Sequence, residues 1–166
     1  MFFFALIAAV TLLAALAGRL GAPGLDRWPA RMRLGLAVAL ALAGADHLAN
    51  PWRYLPMLPE VVPFPRATVL LTGLCEIAGG VGLLVPRLRR LAGIMLALYF
   101  VCVFPANIRN ALAGGAGVEG LPVAAASAWY YWLRLGFQPL VVWWALRAAE
   151  VIAWPQRPAR RHAVGA

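Results

Sequence analysis

Between Ala67 and Pro86 the chain reads ATVLLTGLCEIAGGVGLLVP, twenty residues that carry a single charge, Glu76, near their middle. The run is long enough to cross a bilayer as one helix. An ionised carboxylate in hydrocarbon costs several kcal/mol, so Glu76 must face other protein, find a partner or hold a proton. Gly73, Gly79 and Gly80 lie one turn either side of it, close to its face of the helix. Small residues let a neighbouring helix approach. The stretch therefore predicts a membrane helix whose Glu76 face turns into a bundle.

The rest of the chain fits that setting. Of its 166 residues 63% are hydrophobic and only 13% charged, and the mean hydropathy is +0.78. The apolar residues fall in long uncharged blocks, as membrane spans do. The net charge of +9 does not point to nucleic acid. Its arginines cluster in short segments between apolar blocks, where basic residues set topology.

Five blocks can be counted. The first, Phe2 to Ala17, is followed by Arg19, Arg27, Arg31 and Arg33. A signal peptide carries its positive charge before the apolar run, so this block reads as a span, although Ala15-Leu16-Ala17 resembles a cleavage site. The second runs from Leu34 to Asn50 and ends in GADHLANP. A loop with five prolines follows, from Pro51 to Arg66, with Trp52 and Tyr54 at headgroup level. The third block is the Glu76 helix. The fourth runs from Leu91 to Phe104, where FPAN is expected to end it. After a Gly-rich connection the fifth opens at Trp129-Tyr130-Tyr131-Trp132, an interface anchor, and continues to Leu146. Eleven arginines fall on one side of this arrangement and four on the other. That bias predicts five spans with the N-terminus outside and the C-terminus inside. The expected organisation is an N-terminal span over 1–18, a bundle over 34–150 and a basic disordered cytoplasmic tail over 151–166.

The pieces GADHLANP (44–51), LPEVVPFP (58–65), TGLCEIAGGVGLLVPRLRRLAG (72–93), VFPANIRNAL (103–112) and RLGFQ (134–138) together resemble the DoxX family of small bacterial membrane proteins. The resemblance implies an all-α, polytopic transmembrane helix bundle: a four-helix core, to which this chain adds the N-terminal span. It also implies the bacterial cytoplasmic membrane and a link to redox or oxidative-stress systems. No cofactor is evident in the sequence itself; a redox centre would then be a diffusible quinone or belong to a partner subunit, and a redox subunit or a second copy of the chain is the expected partner beside the lipid bilayer. Where relatives often carry an aromatic residue beside the histidine, this chain has Leu48.

The polar residues gather in the outer half of the bundle. With about 1.5 Å of rise per residue, Glu76 lies roughly 12 Å below the outer interface. Arg134 and Gln138 share a face at i, i+4. Asp46 and His47 end the second block, and Asn107, Arg109 and Asn110 the fourth. His47, Glu76, Asn107, Arg109, Arg134 and Gln138 are the candidate ligand-binding residues. Three readings follow from them. A Glu76–Arg134 ion pair on neighbouring helices would serve packing alone. A polar site between helices would hold a small lipid-soluble molecule such as a quinone. A proton or solute path would use the intramembrane carboxylate. No second histidine lies in the bundle, so a metal site is not expected, and Cys75 and Cys102 read as buried fillers. No nucleotide loop, haem-attachment motif or hydrolase triad is present in the sequence.

Overall fold

Proline and glycine mark most of the helix limits. The computed structural model describes residues 2–113 and 128–153. Helix α1 (Phe2–Arg19) turns back through Gly21 and Gly24, both at positive φ (90° and 76°), where a side chain would be strained. Helix α2 (Trp28–Ala49) carries proline in its first turn, where the missing N–H has no partner to lose. Two short 3₁₀ turns, Pro51–Arg53 and Leu55–Met57, occupy the proline-rich loop. Helix α3 (Pro65–Leu84) starts after Phe64, which sits in the left-handed region at φ 50°. Then come α4 (Arg89–Cys102), α5 (Phe104–Leu112), α6 (Ala128–Gly136) and α7 (Gln138–Ala148).

Among the described residues the fold is all helix, without strand. Four stretches are long and apolar enough to cross a membrane: α1, α2, α3 and the run Arg89–Leu112 formed by α4 and α5. The FPAN segment thus behaves differently from the sequence expectation. It does not end the fourth block; the chain breaks at Val103 and resumes as α5. Pro105 sits in the first turn of α5, where it is tolerated, while backbone bonds Val103 N→Tyr99 O (3.0 Å) and Asn107 N→Val103 O (3.2 Å) carry the ladder across the break. The fifth block is interrupted at Phe137, ahead of Pro139, into two helices of 9 and 11 residues. The Gly-rich connection beyond Ala113 and the tail from residue 154 fall outside the described residues.

Helix α2 is central, with α1 on one side and α3 on the other, while α4 packs on α3 and α7. Leu36, Leu40, Leu83, Leu96 and Ala145 form the fully enclosed core. Many large apolar residues point outward instead, among them Leu12, Leu71, Leu98 and Val101. In water such a surface would aggregate; in a bilayer it meets lipid.

The α2–α3 crossing is glycine-dependent. A Cβ on Gly44 would lie 2.5 Å from the Gly73 carbonyl oxygen, and one on Gly73 would lie 2.7 Å from the His47 Cβ. Gly80 similarly lets α3 approach the Ala37 backbone. The inward glycine face expected around Glu76 is therefore present. Cys75, about 100° further round the helix, is exposed, and so is Cys102. Both depart from the buried filler role expected of them, because the packed stripes of α3 and α4 run through Glu76, Gly80, Leu96 and Phe100 instead.

Candidate functional site

The close α2–α3 crossing delivers two side chains to one place. His47 Nδ1 lies 3.5 Å from Glu76 Oε2 and 3.3 Å from Thr72 Oγ1. The Thr72 hydroxyl donates to Val69 O at 2.7 Å, so toward His47 it can only accept. Nδ1 is thereby assigned the proton, the tautomer being set by its partner. From α4, the Tyr99 hydroxyl donates to Glu76 Oε1 at 2.8 Å. Glu76 is only 7% exposed, and its Oε2 makes no hydrogen bond. The 3.5 Å approach of His47 is an electrostatic contact, not a hydrogen bond that satisfies this oxygen.

The two proline breaks meet beside this cluster. Gln138, the first residue of α7, donates through Nε2 to Phe100 O at 2.7 Å. Its Oε1 accepts from Asn107 Nδ2 at 3.3 Å. Both side chains are buried, so this pair ties the interrupted α4–α5 run to the α6–α7 junction. Gln138→Leu should lower stability by about 1–3 kcal/mol, because Phe100 O and Asn107 Nδ2 are then left buried without partners. Chemical or thermal unfolding in detergent measures this; an unchanged midpoint would mean the junction is held by packing alone.

A third group sits nearer the end of α2. Asp46 accepts from Arg53 at 2.8 and 2.9 Å, from Asn50 Nδ2 at 2.7 Å and from the Tyr54 hydroxyl. The Tyr54 ring packs edge-on to His47 with centroids 4.0 Å apart. Burial, and then its bond to the Asp46 carboxylate, push the Tyr54 phenol above its ordinary range. Tyr54 therefore stays a donor at any physiological pH.

These groups line one cavity of about 440 Å³, a size typical of sites for small organic ligands. Its polar wall includes Asp46, His47, Arg53, Tyr54, Glu76, Tyr99, Asn107, Arg134 and Gln138, and its apolar wall includes Phe3, Phe4, Leu6, Val69 and Phe100. Phe2 and Leu42, also in the lining, are 68% and 52% exposed, so the cavity has a rim on the outer apolar surface.

Five of the six sequence candidates, His47, Glu76, Asn107, Arg134 and Gln138, are brought together here. Arg109 is not. It turns away to a surface pairing with Glu60 at 3.4 Å. The expected Glu76–Arg134 ion pair is also not formed. Both residues line the cavity, yet the ionisable side chain in reach of Glu76 is His47 from α2. The glycine crossing brings α2 against the Glu76 face of α3, whereas α6 packs on α5 and α7. Tyr54, Thr72 and Tyr99 were not candidates in the sequence. Tyr99 carries a hydroxyl in an otherwise apolar block, a signal that could have marked it. Among the described residues no cluster of three or more His, Cys, Asp or Glu is placed to hold a metal ion.

A helical bundle with membrane-length helices, a lipid-type exterior and a cavity lined by both polar and apolar side chains defines a multi-helix membrane protein. More particularly, the chain belongs to the family described as Domain of unknown function (DUF8561), whose model matches residues 36–149. Comparison with curated proteins gave no match, and comparison with solved structures gave none.

Proposed function

We propose that this protein binds a small lipid-soluble molecule with an oxygen-bearing polar head, of the quinone class, in the cavity between α2, α3, α4 and α6. The observation that carries the reading is a mismatch. Glu76 offers a buried oxygen with no hydrogen bond, and the Arg134 guanidinium lines the same cavity without pairing to it. A fully buried polar atom left open is unfavourable by 1 kcal/mol or more, roughly. A ligand bearing both a donor and an acceptor satisfies the two at once. A quinol hydroxyl can donate to Glu76 Oε2, and a ring oxygen can accept from Arg134.

The resemblance to DoxX proteins is consistent with this reading and supports a bacterial cytoplasmic membrane as the location and a redox or oxidative-stress system as the setting. The arginine bias supports five spans, N-terminus outside and C-terminus inside, with α6 and α7 together as the fifth. In that orientation the cavity opens in the outer half of the bilayer. A purely structural role for the polar cluster is the second reading, favoured by the way Glu76 links α2, α3 and α4 through His47 and Tyr99.

Thermal unfolding of the purified protein with and without a panel of quinones, each also in its reduced quinol form, separates the two. A ligand bound only by the folded state, at a hundred times its dissociation constant, stabilises by about 2.7 kcal/mol. The expected result is a rise in Tm with the reduced, quinol forms that Glu76→Gln abolishes while the ligand-free mutant melts close to wild type. No rise with any quinone or quinol, together with a much lower Tm for Glu76→Gln, would leave the structural reading in its place.

A further inference from the structure

Every polar residue of the cavity wall, from Asp46 to Gln138, lies inside the segment matched by the family model, residues 36–149. One part of the apolar wall does not. Phe2, Phe3, Phe4 and Leu6 come from α1, outside that segment. The first turn of α1 is also tied to the residues that carry the polar groups. Phe3 packs edge-on to Phe100 at 6.5 Å between centroids, and Phe4 packs on Phe137 at 5.1 Å. Phe100 presents the carbonyl that Gln138 binds, and Phe137 is the residue immediately before Gln138.

We infer that α1 is the selectivity wall of the cavity: the family domain holds the oxygen-bearing head of the ligand, and Phe3 and Phe4 set the bulk and flatness of the body that may follow it. Aromatic faces and edges on that side favour a planar ring over a branched aliphatic group, since rings stack or meet edge-to-face at these separations. The cavity volume of about 440 Å³ admits a ring system with part of a tail. This inference rests on the ligand reading above and adds to it the element that decides between ligands of the same head chemistry.

The test compares two probes kept in their reduced form, a substituted benzoquinol and the bulkier fused-ring menadiol, on the protein in nanodiscs. The readout is the ratio of their dissociation constants, which a general loss of stability leaves unchanged. Phe4→Ala should move that ratio toward the fused ring by about tenfold, the scale at which apolar pockets discriminate small changes of bulk. Phe4→Leu, which keeps most of the packing, should move it in the same direction by less. Leu12→Ala, at a position 64% exposed on the lipid side of the same helix, should not move it. If wild type binds the probes and neither Phe3→Ala nor Phe4→Ala changes the ratio, α1 is a packing helix and the inference is wrong. If wild type binds neither probe, the quinone reading fails and this inference fails with it.

Discussion

Glu150→Gln is expected to lower the apparent Tm of the protein, by an amount equivalent to on the order of 1–3 kcal/mol, between the values for exposed and for buried ion pairs. Glu150 follows α7 in the left-handed conformation, φ 57°, and Val151 N bonds back to Leu146 O at 3.0 Å in the manner of a Schellman cap. Glycine is the usual residue there. A glutamate is strained in that position, yet its carboxylate receives Arg27 at 2.9 Å, Arg33 at 3.4 Å and Arg89 at 3.6 Å. Arg33 and Arg89 lie near the N-termini of α2 and α4, where the helix dipole already favours negative charge. Glu150 lies past the C-terminus of α7, where the dipole favours positive charge. Each group is locally misplaced, and the tertiary cluster reconciles them. Arg33 further donates to Ala148 O at 2.9 Å, closing the end of α7. Neutralising Glu150 leaves three guanidinium groups facing one another across α2, α4 and the α1–α2 turn.

The same cluster predicts an order among its arginines. Arg27 is 69% exposed, so Arg27→Ala should change stability by less than about 1 kcal/mol. Arg33 has a side chain only 10% exposed and holds a helix carbonyl as well, so Arg33→Ala should approach the Glu150→Gln effect. Raising salt toward 1 M, where the screening length is about 3 Å, should narrow the gap between wild type and Glu150→Gln. A gap that is indifferent to salt would assign the loss to the backbone cap and not to the charges.

What could be seen in advance follows from what a sequence encodes. Composition and block length are one-dimensional properties, and from them come the all-helical fold and the membrane-length helices. The period of 3.6 residues is also one-dimensional, which is why the inward turn of Glu76 and the glycines beside it were legible. Choosing the partner of Glu76 needs the rotation of one helix against another. The rise per residue places Arg134 and His47 both in the outer half of the bundle, and charge neutralisation alone points to the arginine. The glycine crossing decides for His47 by bringing α2 into contact. Pro105 illustrates a second limit: a proline ends a helix or only interrupts it according to its surroundings, and here the ladder carries on through Asn107 N to Val103 O. Phe2 to Leu6 read only as part of a span, since nothing in their order says that they reach a cavity formed by residues from 39 to 138.

The glycine crossing itself supplies the other large effect. Gly44→Ala would place a Cβ 2.5 Å from Gly73 O and 2.7 Å from Ile77 Cγ1, closer than real contacts allow. The backbone oxygen cannot rotate aside as a side chain can, so α2 and α3 must separate. Forced overpacking of this kind costs about 1–3 kcal/mol. Gly136→Ala is the matching control. A Cβ there meets nothing within 4 Å, so that change should be neutral, or stabilising by about 0.5–1 kcal/mol through helix propensity. The two substitutions add the same methyl group, so a difference between them isolates the crossing. Separation of α2 from α3 also withdraws His47 from Glu76, already at 3.5 Å, and widens the cavity on that side. Gly44→Ala should therefore weaken quinone binding as well as stability, whereas Gly136→Ala should alter neither by much. Equal melting temperatures for the two variants would show that the crossing relaxes without loss. A lower Tm for Gly44→Ala with undiminished quinone affinity would show that the ligand does not depend on the α2–α3 juxtaposition, and would move the binding groups to Arg134 and the α4–α7 side.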